Sequence, residues 1–157
     1  NMTGERWLNE DEAAAWRSFV AVSAGVKGKV DTLLRETVGL PLSDYEVLVH
    51  LSEAPEHRLR MNELSSRTMH SRSRLSQRVD RMTSRGLVER ERCEDDARGM
   101  WAVLTDEGLD TIKKAAPVHV EHVRENFIDL IDPALLPTLA TAFHKVVMGS
   151  LGEDTKY

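Results

Sequence analysis

Arginine is concentrated in one stretch of the chain. Residues 58–92 contain ten arginines, no lysine and four acidic residues, a net charge of +6. Because the whole chain carries −5, all other residues together carry −11. A basic block within an acidic protein indicates one local anionic partner, and guanidinium groups bind phosphates and guanine edges through paired hydrogen bonds. A solvated, charged surface is the alternative interpretation.

The middle of this block has the periodicity of an amphipathic helix over about 72–85. Leu75, Val79 and Met82 recur at three- and four-residue steps, so they share one face, which we expect to pack inward. Polar and basic side chains occupy the other faces: Ser73, Arg74, Gln77, Arg78, Asp80, Arg81, Ser84 and Arg85. Arginine, glutamine and serine can read base edges in the major groove of DNA. An ordinary arginine-rich solvent face is the alternative.

The neighbouring segments place this helix in a recognisable order. We predict helix, tight turn, basic helix, strand, polar loop and strand over residues 61–67, 69–70, 72–85, 87–92, 93–99 and 100–104. Ser71 is a suitable N-cap for the basic helix, and Gly86 is a suitable residue to end it. This order is typical of a winged helix-turn-helix, in which the second helix enters the major groove.

The polar loop of the hairpin offers a second arginine. Arg98 stands near the predicted tip, where a guanidinium can enter a narrow minor groove. Asp95 or Asp96 can hold this side chain extended through a charge-assisted hydrogen bond. Gly99 permits a turn that would aim Arg98 away from the protein body. A plain solvated turn is the alternative.

Further helices are predicted on both sides of this region. Apolar side chains recur with helical spacing over about 10–36, 41–53 and 106–151, and Asp132-Pro133 divides the last range into two helices. Asn9 and Glu12 can form a capping box at the first helix, and Ser43 and Glu46 can form one at the second.

Several classes of protein are excluded. The uninterrupted apolar runs are far shorter than the ~20 residues of a membrane helix, and residues 1–10 lack the apolar segment of a secretion signal. A single cysteine, Cys93, excludes an internal disulfide framework and a multi-cysteine zinc site. The motifs of nucleophilic hydrolases, phosphate-binding loops and zinc proteases are absent. We therefore expect a cytoplasmic protein that is not an enzyme and needs no cofactor or membrane.

Histidines leave one alternative open. His119 and His122 would share a face of a predicted helix, but zinc takes three or four protein ligands. His50 and Glu121 or Glu125 would have to join them, and the spacing does not show that they converge. Ordinary surface or interface histidines are the favoured interpretation, and a metal-responsive regulator is the alternative.

The ordered set of motifs resembles the multiple-antibiotic-resistance regulator (MarR) family. The matching segments are LSDYEVL at 42–48, MNEL at 61–64, SRSRLSQRVDRM at 71–82, GLVER at 86–90, DARG at 96–99 and LTDEG at 104–108. The resemblance extends over about residues 10–150. It implies a mainly α protein with a small β-hairpin wing, forming a single domain over 1–157. A winged helix-turn-helix lobe at about 41–104 would lie between dimerisation helices at about 10–36 and 106–151.

The resemblance also implies a function. Family members are homodimeric regulators, here expected to be a repressor, that bind double-stranded DNA at a pseudo-palindromic operator and respond to small, often aromatic or phenolic, ligands. The recognition helix would contact DNA through Ser71, Arg72, Ser73, Arg74, Gln77, Arg78 and Arg81. The wing would use Asp96 and Arg98, and the ligand would meet Trp16, Arg17, Phe19 and Tyr45.

Two positions depart from the family pattern. Pro41 stands where a Thr or Ser cap is usual, so we expect the second helix to begin differently. Ala97 stands where a second wing arginine is common, which would weaken the wing contact. A winged-helix module that binds proteins and has lost DNA binding remains the alternative from another class.

Overall fold

The computed structural model describes residues 4–157, so the first three residues of the expected 1–157 domain lie outside the described part. The helices are α1 (Glu10–Ala21), α2 (Lys27–Val38), α3 (Leu42–Glu53), α4 (Met61–Thr68), α5 (Arg72–Ser84), α6 (Asp106–Asn126) and α7 (Leu136–Leu151). A π-helical turn, Val22–Val26, joins α1 to α2, so the long first helix predicted from the sequence is confirmed as one continuous segment. Gly39 ends it with a left-handed φ of 68°.

The strands form one antiparallel sheet with the order β1-β3-β2. They are β1 (Arg58–Arg60), β2 (Val88–Arg92) and β3 (Met100–Leu104). The β2–β3 hairpin confirms the predicted wing, with Arg90 opposite Ala102. The strand β1 was not predicted, because three residues are too few for a periodic signal. It pairs with β3 through Leu59 and Ala102 and so attaches the wing to the segment before α4.

The first helix begins as the sequence predicts. The Asn9 side chain accepts a hydrogen bond from the Glu12 N–H, and the Glu12 carboxylate accepts one from the Asn9 N–H, each at 2.9 Å. These two bonds are the predicted capping box.

The start of α3 differs from the predicted Ser43–Glu46 capping box. Pro41 occupies the N-cap and has no side-chain acceptor, so the Leu42 N–H donates instead to Asp31 Oδ1 of α2 at 2.8 Å. The prediction that Pro41 changes this helix start is therefore confirmed. Glu46 is turned to Lys27, with 3.2 Å between the Lys27 Nζ and a Glu46 carboxylate oxygen.

The core lies where α2, α3, α5, α6 and the sheet meet. Leu75, Val79 and Met82 are at most 1% exposed, which confirms the inward face predicted for the basic helix. The first turn of α6 packs so closely on the loop before β2 that a Cβ on Gly108 would lie 2.1 Å from the Leu87 carbonyl oxygen. Only glycine fits at that position.

The two outer helices are different, because α1 and α7 contribute no buried residue. Large apolar side chains on these helices and the segments beside them remain exposed: Trp16, Phe19, Val20, Leu135, Phe143, Val146 and Leu151. Within the described residues, Pro133–Leu151 is one segment long and apolar enough to match a membrane span, with a mean hydropathy of 1.2 over its best window. Uninterrupted apolar runs understate it, since small residues separate its large side chains.

Replacing Asp31 with alanine should destabilise the fold, because the first N–H of α3 would lose its acceptor. The loss of a helix cap costs about 1 kcal/mol in the free energy of unfolding. Urea unfolding measures this loss, with Glu36→Ala on the exposed side of α2 as the matched control. Equal stability of the Asp31→Ala and Glu36→Ala proteins would show that the Asp31–Leu42 bond contributes nothing.

Candidate functional site

The helices α4 and α5 form a helix-turn-helix. Met69 takes a left-handed conformation with φ of 56° and ends α4. Ser71 then caps α5, as predicted, by accepting a hydrogen bond from the Arg74 N–H at 3.3 Å. The tight turn is fixed further by the Ser65 hydroxyl, which donates to the His70 carbonyl oxygen at 2.7 Å.

Most of the polar face predicted for α5 points to solvent. Five of its candidate DNA contacts are exposed, and so is the cap: Ser71, Arg72, Ser73, Arg74, Gln77 and Arg81. Ser73, Arg74, Gln77 and Arg81 lie on the side of the helix that is turned away from the buried Leu75, Val79 and Met82, whereas Arg72 faces a cleft that Leu75 also lines. The helix therefore presents three guanidinium groups together with hydroxyl groups and one amide.

Arg78 does not lie on this exposed face, where the sequence pattern placed it together with Ser73, Arg74 and Gln77. Its Nη1 lies 3.1 Å from Asp44 Oδ1 and also donates to the Ser43 hydroxyl, so the guanidinium is held against the first turn of α3. Its side chain is 19% exposed. The helical spacing contained part of this signal, because Arg78 is three residues after Leu75 and four before Met82 and so flanks the buried stripe, but it could not identify Asp44 as the partner.

Other arginines of the basic block are also paired within the protein. Arg67 donates to Glu63 at 2.7 Å, a pairing that the i,i+4 spacing could have predicted, so a free phosphate contact through Arg67 is no longer expected. Arg90 reaches from β2 to α5, where its Nη2 donates to the Ser76 carbonyl oxygen at 3.0 Å and to Asp80 at 2.9 Å. Fewer arginines are therefore available to contact a partner than the ten that residues 58–92 contain.

The wing loop has a different internal geometry from the one predicted. Asp96 Oδ1 accepts the backbone N–H of Arg98 at 3.0 Å, and its other oxygen lies 3.9 Å from Arg60 Nη1. The predicted bond from Asp96 to the Arg98 guanidinium is therefore wrong, and Asp96 shapes the loop backbone instead. Arg98 itself is exposed at the wing, as expected.

Gly99 is required in this loop, although not for a positive φ. A Cβ there would lie 2.9 Å from the Cys93 sulfur, so glycine allows the two sides of the loop to approach. The Cys93 thiol is buried beneath the loop.

A cleft of about 370 Å³ separates the wing from the helix-turn-helix. Four arginines line it, one each from β1, α5, β2 and the wing loop: Arg60, Arg72, Arg90 and Arg98. Asp96 is the one acid on its lining. The cleft thus continues the positive surface of α5 towards the wing.

A second, apolar region lies between α1, the end of α6 and α7. A cavity of about 510 Å³ there is lined by Phe19, Val22, Phe127 and Phe143, among others. The Phe19 ring is 6.2 Å from the Phe143 ring and 5.9 Å from the Trp16 ring, measured between centroids. Serine hydroxyls are the polar groups on its lining side chains.

The four candidate ligand residues do not share this cavity. Phe19 lines it and Trp16 touches Phe19, whereas Arg17 is exposed on α1. Tyr45 is buried between α3 and α6, with its ring stacked on His119 at 4.2 Å between centroids. His119 lines an adjacent groove of about 330 Å³, so Tyr45 lies behind that groove.

The histidines have partners other than a metal. His119 stacks on Tyr45, and His122 Nε2 lies 3.4 Å from the Thr37 hydroxyl. Across residues 4–157, no group of three or more His, Cys, Asp or Glu side chains is arranged to hold a metal ion. His119 and His122 therefore gain no third ligand from the described part of the chain.

The helix-turn-helix, the hairpin wing and the outward basic face define a winged-helix DNA-binding fold. Residues 38–99 match the model of the MarR family. AbsC, a MarR family transcriptional regulator from Streptomyces coelicolor, is 43% identical, with a TM-score of 0.86 over 92% of this chain and 97% of AbsC. The chain belongs to the MarR family of transcriptional regulators and is not an enzyme.

Two further relatives are similar. Sco3205, a MarR family transcriptional regulator from Streptomyces coelicolor solved in complex with DNA, is 38% identical, with a TM-score of 0.88 over 92% of this chain and 91% of Sco3205. The HTH-type transcriptional repressor YetL of Bacillus subtilis (strain 168) is 26% identical over 111 residues. That alignment spans 69% of this chain and 66% of YetL.

We predict that mild acid destabilises the fold. Burial lowers the pKa of His50, His70 and His119 below the ordinary value of 6.5, so the unfolded chain binds protons that the folded chain does not. The free energy of unfolding should hold steady above about pH 7 and fall as the pH drops below about 6.5. Urea unfolding at pH 7.5 and 5.5 measures this.

One variant tests how much of this loss of stability in mild acid comes from His119. His119→Phe keeps a ring against Tyr45 but cannot titrate, so it should lose less stability between the two pH values than wild type. Unchanged or higher stability of the wild-type protein at pH 5.5 would contradict the prediction.

Proposed function

We propose that the protein is a homodimeric, sequence-specific repressor that binds a pseudo-palindromic operator and is modulated by a small apolar or aromatic ligand. The observation that carries this proposal is the exposed face of α5, where Arg74, Gln77 and Arg81 point away from the core. The DNA complex of Sco3205 and the repressor function named for YetL support it. A cytoplasmic location is part of the same proposal.

The proposed contacts to DNA are of two kinds, contacts to base edges and a contact to a phosphate. Gln77 has the two-sided amide that pairs with adenine, and Arg74 and Arg81 have the fork that pairs with guanine. Ser71 and Ser73 lie at the N-terminal end of α5, which usually approaches the bases. Arg72 faces the cleft towards the wing, where a phosphate contact is the expected role.

The wing supplies one inserted arginine. Arg98 is exposed beside a cleft that also carries Arg60 and Arg72, so it would extend the contact from the major groove to the flanking minor groove. Asp96 supports this contact indirectly by fixing the loop backbone. Because Ala97 offers no guanidinium, Arg98 would carry the minor-groove contact of the loop by itself.

The exposed apolar sides of α1 and α7 support a homodimer. The helix α7, which has no buried residue, and side chains such as Trp16, Phe19 and Val146 form more apolar surface than a monomer usually leaves in water. We propose that a second copy covers the predicted dimerisation helices, 10–36 and 106–151. The winged helix-turn-helix lobe, about 41–104, would then stand on each side of a two-fold axis, with recognition helices ~34 Å apart.

The ligand would bind beside this interface. The cavity between α1 and α7 is lined by the aromatic rings of Phe19, Phe127 and Phe143, which suits an apolar or aromatic molecule. Trp16 and Arg17 lie next to it on α1, and Tyr45 borders the adjacent groove through His119. Because the residues that line this cavity belong to the proposed dimerisation helices, a ligand there would act on the dimer interface and through it change the spacing of the two recognition helices.

Base reading by α5 predicts a loss of discrimination in Gln77→Ala. Removing the amide should reduce the difference in binding free energy between operator and random DNA by ~1–3 kcal/mol, because a bidentate contact to one base is lost. Fluorescence anisotropy can measure both affinities, on a sequence that the wild-type protein selects from a random pool. An unchanged ratio in Gln77→Ala would contradict reading by this face.

The same assay tests the wing. Arg98→Ala should lose most affinity on operators with A-T-rich flanks, whose narrow minor grooves attract arginine, and keep its central sequence preference. Lys113→Ala, which removes an exposed charge on α6, is the matched control. Equal losses on A-T-rich and G-C-rich flanks would reduce Arg98 to a phosphate contact.

The homodimer predicts the sedimentation behaviour. The wild-type protein should sediment at about twice the 17.7 kDa of one chain at micromolar concentration. Val146→Glu, which places a charge on an apolar side chain that is 64% exposed in the single chain, should shift it towards monomer because that charge would be buried in the interface. Ala97→Glu, which places the same charge on an exposed apolar side chain of the wing loop, is the control outside the proposed interface, and a stable wild-type monomer would refute the dimer.

A further inference from the structure

A nearly buried carboxylate faces the recognition helix from α3. Asp44 is 3% exposed, and the cation beside it is Arg78 of α5, at 3.1 Å between Asp44 Oδ1 and Arg78 Nη1. An unpaired buried charge is costly, so removing either partner should release or disturb the other. The Arg78 Nε is also shielded from solvent, which leaves this side chain facing the protein rather than the DNA-binding surface.

The apolar anchors decide which face of α5 is buried, but they do not by themselves prevent small rotations of the helix about its axis. Contacts made by Leu75, Val79 and Met82 are non-directional, whereas hydrogen bonds hold a specific geometry. Arg78 bonds α5 to α3, and Arg90 bonds it to β2 through Ser76 and Asp80. Ser76 and Asp80 lie about 200° around the helix from Arg78, so these bonds hold α5 from two sides.

The residues proposed to read bases are close to this bond. Gln77 precedes Arg78 directly, and Arg74 and Arg81 lie one turn away on either side along the helix. A small rotation of α5 would therefore move all three relative to the base edges. On the other side of the bond, the first turn of α3 is itself held to α2 by the Leu42 N–H and Asp31.

We propose that Arg78 is a positioning residue for operator recognition and acts through Asp44 without touching DNA. The ion pair sets the rotation at which α5 meets the major groove. This inference rests on the proposed reading of an operator by α5, and it assigns to one arginine of the recognition helix a role distinct from that of its neighbours.

Charge and position predict opposite effects for Asp44→Asn. Removing a negative charge near the DNA-binding face should leave affinity for all DNA unchanged or raise it, if only electrostatic attraction matters. If the pair positions α5, operator affinity should fall by about tenfold while random-DNA affinity holds or rises. Tighter or unchanged operator binding by Asp44→Asn would overturn the proposal.

A double-mutant cycle tests whether Arg78 acts through Asp44. Arg78→Gln should weaken operator binding about as much as Asp44→Asn, and the double variant should be no weaker than the weaker single variant. If the fold-losses of operator affinity in the two single variants multiply in the double variant, Arg78 contributes to DNA binding independently of Asp44. Arg98→Ala combined with Asp44→Asn is the control pair, and its losses should multiply because the two sites share no partner.

If Asp44→Asn proves unstable, a salt titration of Arg78→Gln can still distinguish a positioning role of Arg78 from a phosphate contact. With Arg78→Gln, circular dichroism first checks that the protein is folded, and random-DNA affinity is then measured against salt concentration. A positioning residue leaves the slope as in wild type, whereas a lost phosphate contact reduces its magnitude by about one. Arg78→Lys, which keeps the charge, should restore part of the operator preference.

The outcomes separate this inference from the proposed function. If Gln77→Ala retains full discrimination, α5 does not read the operator and the proposed function fails. If Gln77→Ala loses discrimination between operator and random DNA, but the operator-affinity losses of the Asp44 and Arg78 variants multiply, only the positioning role of Arg78 fails.

Discussion

Burial of one face of α5 controls what the rest of this protein can present to a partner. Leu75, Val79 and Met82 are inserted between α3, the sheet and α4, and each is almost fully removed from water. A helix that buries one stripe must expose the opposite one. Arg74, Gln77 and Arg81 therefore face solvent because of where the apolar residues are, and the positive surface follows from the packing of the core.

The sign of the surface depends on which arginines are already paired. The chain is acidic as a whole, with a net charge of −5. Arg67, Arg78 and Arg90 each contact an acidic side chain of the DNA-binding lobe. The Arg78 pair joins α5 to α3 and the Arg90 pair joins β2 to α5, whereas the Arg67 pair lies within α4. In the proposed function the exposed arginines of α5 and the wing would supply the attraction to DNA, so an acidic protein would carry a locally basic site.

Local patterns account for most of what was predictable. Helical periodicity located α5 and its inward face, and the residues at helix ends identified Asn9 and Ser71 as caps, each of which accepts a backbone hydrogen bond. These signals are encoded within a few neighbouring residues. The order of the elements then indicated a winged helix-turn-helix before any relative was considered.

Contacts between distant residues were not predictable in the same way. Arg78 and Asp44 are 34 residues apart, and no local pattern joins them. Ser43 and Glu46 match a capping box, but the structure uses both in longer-range contacts and gives the Leu42 N–H to Asp31. Asp96 was expected to hold the Arg98 side chain, yet the short loop brings the Arg98 backbone to it first. In each case tertiary packing selected one partner among several that are chemically equivalent.

In the proposed complex, α5 lies in the major groove of DNA while the wing reaches the adjacent minor groove. Interference by dimethyl sulfate tests both at once, because the reagent methylates guanine N7 in the major groove and adenine N3 in the minor groove. For the wild-type protein on its selected operator, we predict interference at guanine N7 in two half-sites about one helical turn apart, with adenine N3 interference in the flanks. Binding that tolerates methylation at every guanine N7 would contradict the account.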